Sequence, residues 1–88
     1  NYTRPYGEID LIARKNDLIA FVEVKTRNST SFFDMSELVG FSKQRKIITV
    51  AKQYLAQHTK NDTECRFDIA LVTHGPAGAD VCYIPNAF

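Results

Sequence analysis

The chain has 88 residues, 44% of them hydrophobic and 24% charged, and a formal net charge of +1. This composition excludes disorder and allows one small domain, residues 1–88, with a modest core. No apolar run approaches the length of a membrane span, and no basic stretch leads into a hydrophobic one as in a signal peptide, so a cytoplasmic protein is expected.

The chain opens on Asn1 rather than Met and enters a strand within a few residues, so an N-terminal segment is expected to precede it. Residues 8–14, "EIDLIAR", read as a strand with Ile9, Leu11 and Ala13 on one face and Glu8, Asp10 and Ile12 on the other. "KND" at 15–17 is a turn, and 18–26, "LIAFVEVKT", is the second strand of a hairpin. Residues 28–35 are polar and aromatic without a period and read as a loop, with Phe32 and Phe33 expected to pack on the domain. Asp34 and Glu37 form a capping-box pattern opening a helix to about Gln57, which Gly40 interrupts or kinks. Its apolar face is Ile47, Ile48, Ala51, Tyr54 and Leu55, with Gln44 one turn earlier on the same side. After the loop "TKNDTE", "CRFDIALVT" and "ADVCYIP" are two further strands joined by the turn "HGPAG". The order is β-β-α-β-β. The two cysteines lie in positions that a strand register keeps apart, and no Cys or His spacing suits structural zinc.

Within the second strand, "FVEVKTR" places Glu23, Lys25 and Arg27 on one face. Taken alone, Glu-x-Lys is most simply a solvated ion pair. The hairpin adds to it: with Asn16 and Asp17 as the central turn residues, Asp10 falls opposite Glu23 and Glu8 opposite Lys25. Facing carboxylates repel unless a cation lies between them. Asp10 and Glu23 therefore suit a hard divalent ion, Mg²⁺ or Mn²⁺, and Lys25 is placed to act on an attacking water or a phosphate. Ile9, Leu11, Ala20, Val22 and Val24 form the opposite, apolar face, expected in the core. Asp68, between Phe67 and Ile69, is expected to pair with Arg66 or a basic helix residue. Lys43, Arg45, Lys46, Lys52 and Lys60 fall in a segment, 41–60, without an acidic residue. It suits either a polyanion such as DNA or a solvated helix face.

The Asp, β-turn and Glu-x-Lys arrangement resembles the PD-(D/E)xK nuclease signature. In order, "GEIDLIA", "FVEVKTR", "KQRKIITVAKQYL" and "RFDIALV" resemble the YraN-like family of endonuclease-related proteins, which are similar to archaeal Holliday-junction resolvases. The resemblance covers nearly the whole chain and implies an α/β, restriction-endonuclease-like fold, a mixed central sheet flanked by helices, lacking here the N-terminal helix of the family. It implies a metal-dependent DNA endonuclease in which Asp10, Glu23 and the Val24 carbonyl hold Mg²⁺ or Mn²⁺, Lys25 and Gln44 complete the catalytic set, and Lys43, Arg45, Lys46 and Lys52 meet DNA. Branched or repair intermediates are the implied substrates and a homodimer the implied assembly. Two features depart from the family pattern: Ile9 stands where the signature has proline, and no residue matches the glutamate of the family's N-terminal helix. The alternative from another class keeps the fold without the chemistry, as a nucleic-acid-binding or protein-interaction module.

Overall fold

Asn16 and Asp17 turn the chain between β3 (Leu11–Lys15) and β4 (Leu18–Asn28). Asn16 takes a φ of 54°, in the left-handed region that asparagine tolerates. The strands pair antiparallel, Leu11 opposite Val22 and Lys15 opposite Leu18, which is the register expected from the turn. These elements come from a computed structural model that describes residues 1–5, 7–28, 39–59 and 63–88.

The single strand expected over 8–14 is instead two, β2 (Gly7–Ile9) and β3, separated by a bend at Asp10. β2 folds back on β1 (Tyr2–Arg4), with Tyr2 opposite Ile9 and Thr3 opposite Glu8, so Glu8 does not face Lys25 as expected. The bend also restarts the in-out alternation. Ile9 is fully buried whereas Leu11 is 53% exposed, and Ile12 packs on the core in its place. Val24, also expected inside, is exposed.

The main sheet has the order β3-β4-β5-β6, with β5 (Glu64–Gly75) and β6 (Gly78–Ile84) completing it. β4 and β5 run parallel from Leu18 opposite Glu64 to Asn28 opposite His74, and the other pairs are antiparallel. A parallel pair needs a crossover, which α1 (Phe41–His58) supplies. The β5–β6 hairpin closes at Gly78, whose φ of 120° is accessible to glycine.

α1 starts after Gly40, which is its N-cap rather than a kink within it. Asp34, Glu37, Phe32 and Phe33 lie outside the described residues. Ile47, Val50 and Ala51 are the buried residues of α1, and Tyr54 and Leu55 pack beside them. Val50 rather than Ile48 thus centres the apolar stripe, following the i, i+3, i+4, i+7 pattern from Ile47. They meet Ile19 and Phe21 of β4 and Ile69 and Leu71 of β5. Phe21 stacks on Phe67 at 5.5 Å and meets Tyr54 edge-on at 5.9 Å, and Tyr2 of β1 meets Tyr54 edge-on at 5.1 Å. Among the described residues no helix is long and apolar enough to cross a membrane.

Strand pairing places Leu11, Val24, Tyr83 and Val81, all exposed, on the face away from this core. The same face carries Asp68, which is fully buried and pairs with Arg66 as expected. The Arg66 guanidinium donates Nε to Oδ1 at 2.8 Å and Nη2 to Oδ2 at 3.0 Å, the Asn86 amide donates at 2.8 Å, and the Tyr83 hydroxyl donates as well. Burial pushes the Asp68 carboxyl up, but Arg66, Tyr83 and Asn86 outweigh it and hold the pKa below the usual value. This network ties the last turn of the chain to β5.

A lowered carboxyl pKa stabilises the fold above the unfolded value, about 3.9, and that contribution disappears as pH falls through the folded one. Asp68→Asn should therefore lower stability at pH 7 by on the order of 2 kcal/mol, the scale for buried donors losing an acceptor. Urea titrations of both proteins from pH 7 to pH 2.5 should show the deficit shrinking below about pH 4. A deficit independent of pH would mean that packing, not charge, holds this corner.

Candidate metal and phosphate site

Glu23 follows Ile19 and Phe21 on the helix-facing side of β4, four and two residues on from them, and is buried as they are, at 2% exposure. Its Oε2 lies 3.1 Å from Lys43 Nζ, and its Oε1, buried, has no hydrogen-bond partner. Burial raises the Glu23 pKa, Lys43 opposes that rise without cancelling it, and the Asp10 carboxylate adds to it. Such a group is costly to keep charged unless more positive charge approaches.

Asp10 occupies the bend that splits the first hairpin strand. Its Oδ2 accepts the Val24 amide at 2.9 Å, just beyond the last β3–β4 pair at Leu11 and Val22. The ladder thus stops one step short of the Asp10–Glu23 pairing expected from the register. The side chain makes up the difference, and both carboxylates line one cavity of about 480 Å³ between β2 and the start of α1. Gly7 allows this close approach: a Cβ there would sit 3.3 Å from Val50 Cγ2. Glu8 also lines the cavity, exposed and accepting a bond from Asn1 Nδ2 at 3.3 Å.

Lys25 lies two residues beyond Glu23 on the same face and is half-buried. The Lys43 amine beside it is the main reason its pKa falls, with burial second. Lys43 is correspondingly held up by the Lys25 amine and by Glu23, against the effect of burial. Of the helix residues expected at DNA, Lys43 therefore belongs to the carboxylate site itself. The sequence does not mark this pairing with Glu23, because spacing along a helix does not tell which strand its first turn overlies. Lys46 lines the cavity wall, and with Arg45, Ser42, Thr49 and Phe41, 74% exposed, it also lines an adjoining groove of about 360 Å³. Lys52 is exposed further along α1. Gln44 is not among the cavity residues; its Nε2 donates to the Val39 carbonyl at 2.9 Å and so fastens the entry to the helix.

Among the described residues no group of three or more carboxylate, imidazole or thiolate side chains gathers at one point. The ligand set on offer is thus two carboxylates, one with an unpartnered buried oxygen. That set fits a hard divalent ion that keeps several of its waters, as Mg²⁺ does, and does not fit zinc.

The profile of the Uncharacterised protein family UPF0102 matches residues 1–72. The UPF0102 protein of Myxococcus xanthus is 39% identical over 88 residues, covering all of this chain and 70% of the relative. The UPF0102 protein of Treponema pallidum strain Nichols is 40% identical over 92 residues and that of Dictyoglomus turgidum 43% over 90, covering 73% and 76% of those relatives and again all of this chain. With the profile over most of its length and relatives of this similarity along the whole of it, the chain belongs to the UPF0102 family.

Proposed function

We propose that this domain is a nuclease of the restriction-endonuclease-like class that hydrolyses DNA phosphodiester bonds with Mg²⁺ or Mn²⁺, acting in the cytoplasm on branched or repair intermediates. The observation that carries the reading is Glu23: a carboxylate buried to 2% exposure, with one oxygen unpartnered and a second carboxylate, Asp10, beside it. The four-stranded mixed sheet with its crossover helix supports the fold class.

Asp10, Glu23 and the Val24 carbonyl would hold the ion. A divalent ion held there would supply positive charge for the scissile phosphate and ease ionisation of an attacking water. Lys25, two residues beyond Glu23 on the same face, would take a proton from that water or donate to the phosphate oxygens as charge develops on them. Arg45, Lys46 and Lys52 are exposed and reach the backbone of the nucleic acid. One observation favours the second reading, a binding module without chemistry: Glu23 already has a partner in Lys43. Cleavage of duplex, single-stranded and four-way-junction DNA with either ion, in the full-length protein, tests the proposal directly.

Saturating Mn²⁺ should raise the melting temperature of the wild type, by about 2.7 kcal/mol of stabilisation at a hundred times the dissociation constant. Asp10→Asn keeps an acceptor for the Val24 amide, so its metal-free melt should stay close to wild type while the Mn²⁺ shift disappears. Glu23→Gln should lose the shift as well. A full shift in Asp10→Asn would remove that residue from the ligand set.

Lys25→Ala should slow single-turnover cleavage by about a hundredfold or more, the scale for one catalytic group, and leave DNA affinity nearly unchanged. Wild-type cleavage by a folded Lys25→Ala protein would exclude the catalytic role. Arg45→Ala and Lys46→Ala should each flatten the slope of log affinity against log salt by about 0.9. Slopes equal to wild type in gel-shift titrations would turn this part of α1 away from DNA.

A further inference from the structure

Asp10, Glu23 and Lys43 line the cavity with Glu8 and Lys46, Lys25 lies beside Lys43, and these groups differ in freedom. Glu23 and Lys25 are fixed on β4 by the long ladder with β5, where they lie opposite Ile69 and Leu71. Asp10 is tied to the Val24 amide. Lys43 alone reaches in on a long side chain from the first turn of α1, and that side chain is 48% exposed although it ends 3.1 Å from a carboxylate that is 2% exposed. Its neighbour is the like-charged Lys25, which a solvent-facing lysine can relieve by swinging out.

We infer that Lys43 is a displaceable counter-ion: its ammonium holds the buried Glu23 carboxylate in the metal-free protein and leaves toward the cavity mouth when a divalent cation takes its place. This rests on the proposed ion at Asp10 and Glu23. Glu8, Asp10 and Glu23 balance Lys25, Lys43 and Lys46, and a divalent charge added at Glu23 leaves an excess that the ammonium nearest to it relieves by leaving. Lys46 and Ser42 line both the cavity and the adjoining groove, so the released ammonium joins the basic wall that would meet a phosphate. The ion pair that favours a mere binding module thereby becomes part of how the site loads.

Competition of this kind has a direct signature in metal affinity, measured by calorimetric titration of the metal-free protein with MnCl₂. Lys43→Met and Lys43→Gln should both bind Mn²⁺ about tenfold or more tightly than wild type, because each removes the competing charge. Lys43→Arg keeps the charge and should bind much as wild type does, and Lys15→Met, which removes a charge at the exposed hairpin turn, should change nothing. Melts in EDTA should show Lys43→Met less stable than wild type, with the deficit closing at saturating Mn²⁺. Mn²⁺ affinity unchanged or weaker in both neutral variants, with the wild type still binding, would overturn the exchange and leave the metal site standing. Failure of every variant to bind Mn²⁺ would overturn the exchange together with the metal site.

Discussion

Glu23 sets the terms for the rest of this site. It lies buried on the helix-facing side of the sheet, facing the start of α1, and a carboxylate withdrawn from water needs a proton or a cation. Lys43 satisfies one oxygen and leaves the other without a partner. β4 cannot turn the side chain back to solvent, because its neighbours Phe21 and Ile19 hold that face of the strand against the core and the ladder with β5 fixes its register. The charge is therefore built in, and what approaches it decides its state.

The bend at Asp10 is the second constraint, and it follows from the first hairpin's outer strand serving two sheets. Had that strand run straight, Asp10 would have sat in the ladder opposite Glu23. Because β2 peels away to pair with β1, the Asp10 side chain takes over the bond to the Val24 amide, and the space left between β2 and α1 becomes the cavity. Gly7 keeps that space narrow by letting β2 rest against Val50. The site is thus a consequence of a strand that ends early rather than of one that continues.

The two faces of the sheet have different duties. The helix-facing side combines the core with the charged cavity, while the far side carries a closed network around Asp68 amid exposed Leu11, Val24, Val81 and Tyr83. Both faces bury an aspartate or glutamate in β4 or β5, but Asp68 has every donor it needs and a lowered pKa, whereas Glu23 is under-partnered and its pKa is raised. The contrast separates a carboxylate whose partners the fold supplies in full from one that the fold leaves short of a donor.

Local rules were enough for much of this protein. Alternation and turn chemistry in "KND" determined the β3–β4 register, the 3.6-residue period determined the helix through Ile47, Ala51 and Tyr54, and the proximity of Arg66 along one strand determined its pairing with Asp68. Those features depend on neighbours a few residues apart. Tertiary structure alone decided that Ile9 goes in and Leu11 out, since a single bend inverts every later side chain and no residue pattern in "EIDLIAR" marks it. It also decided that Lys43 meets Glu23 while Gln44 fastens the helix entry. Adjacent residues on a helix point about 100° apart, so which of them reaches a strand twenty residues away depends on how the helix lies across the sheet, a quantity fixed by the packing of Val50, Ala51 and Phe21 rather than by the sequence around them.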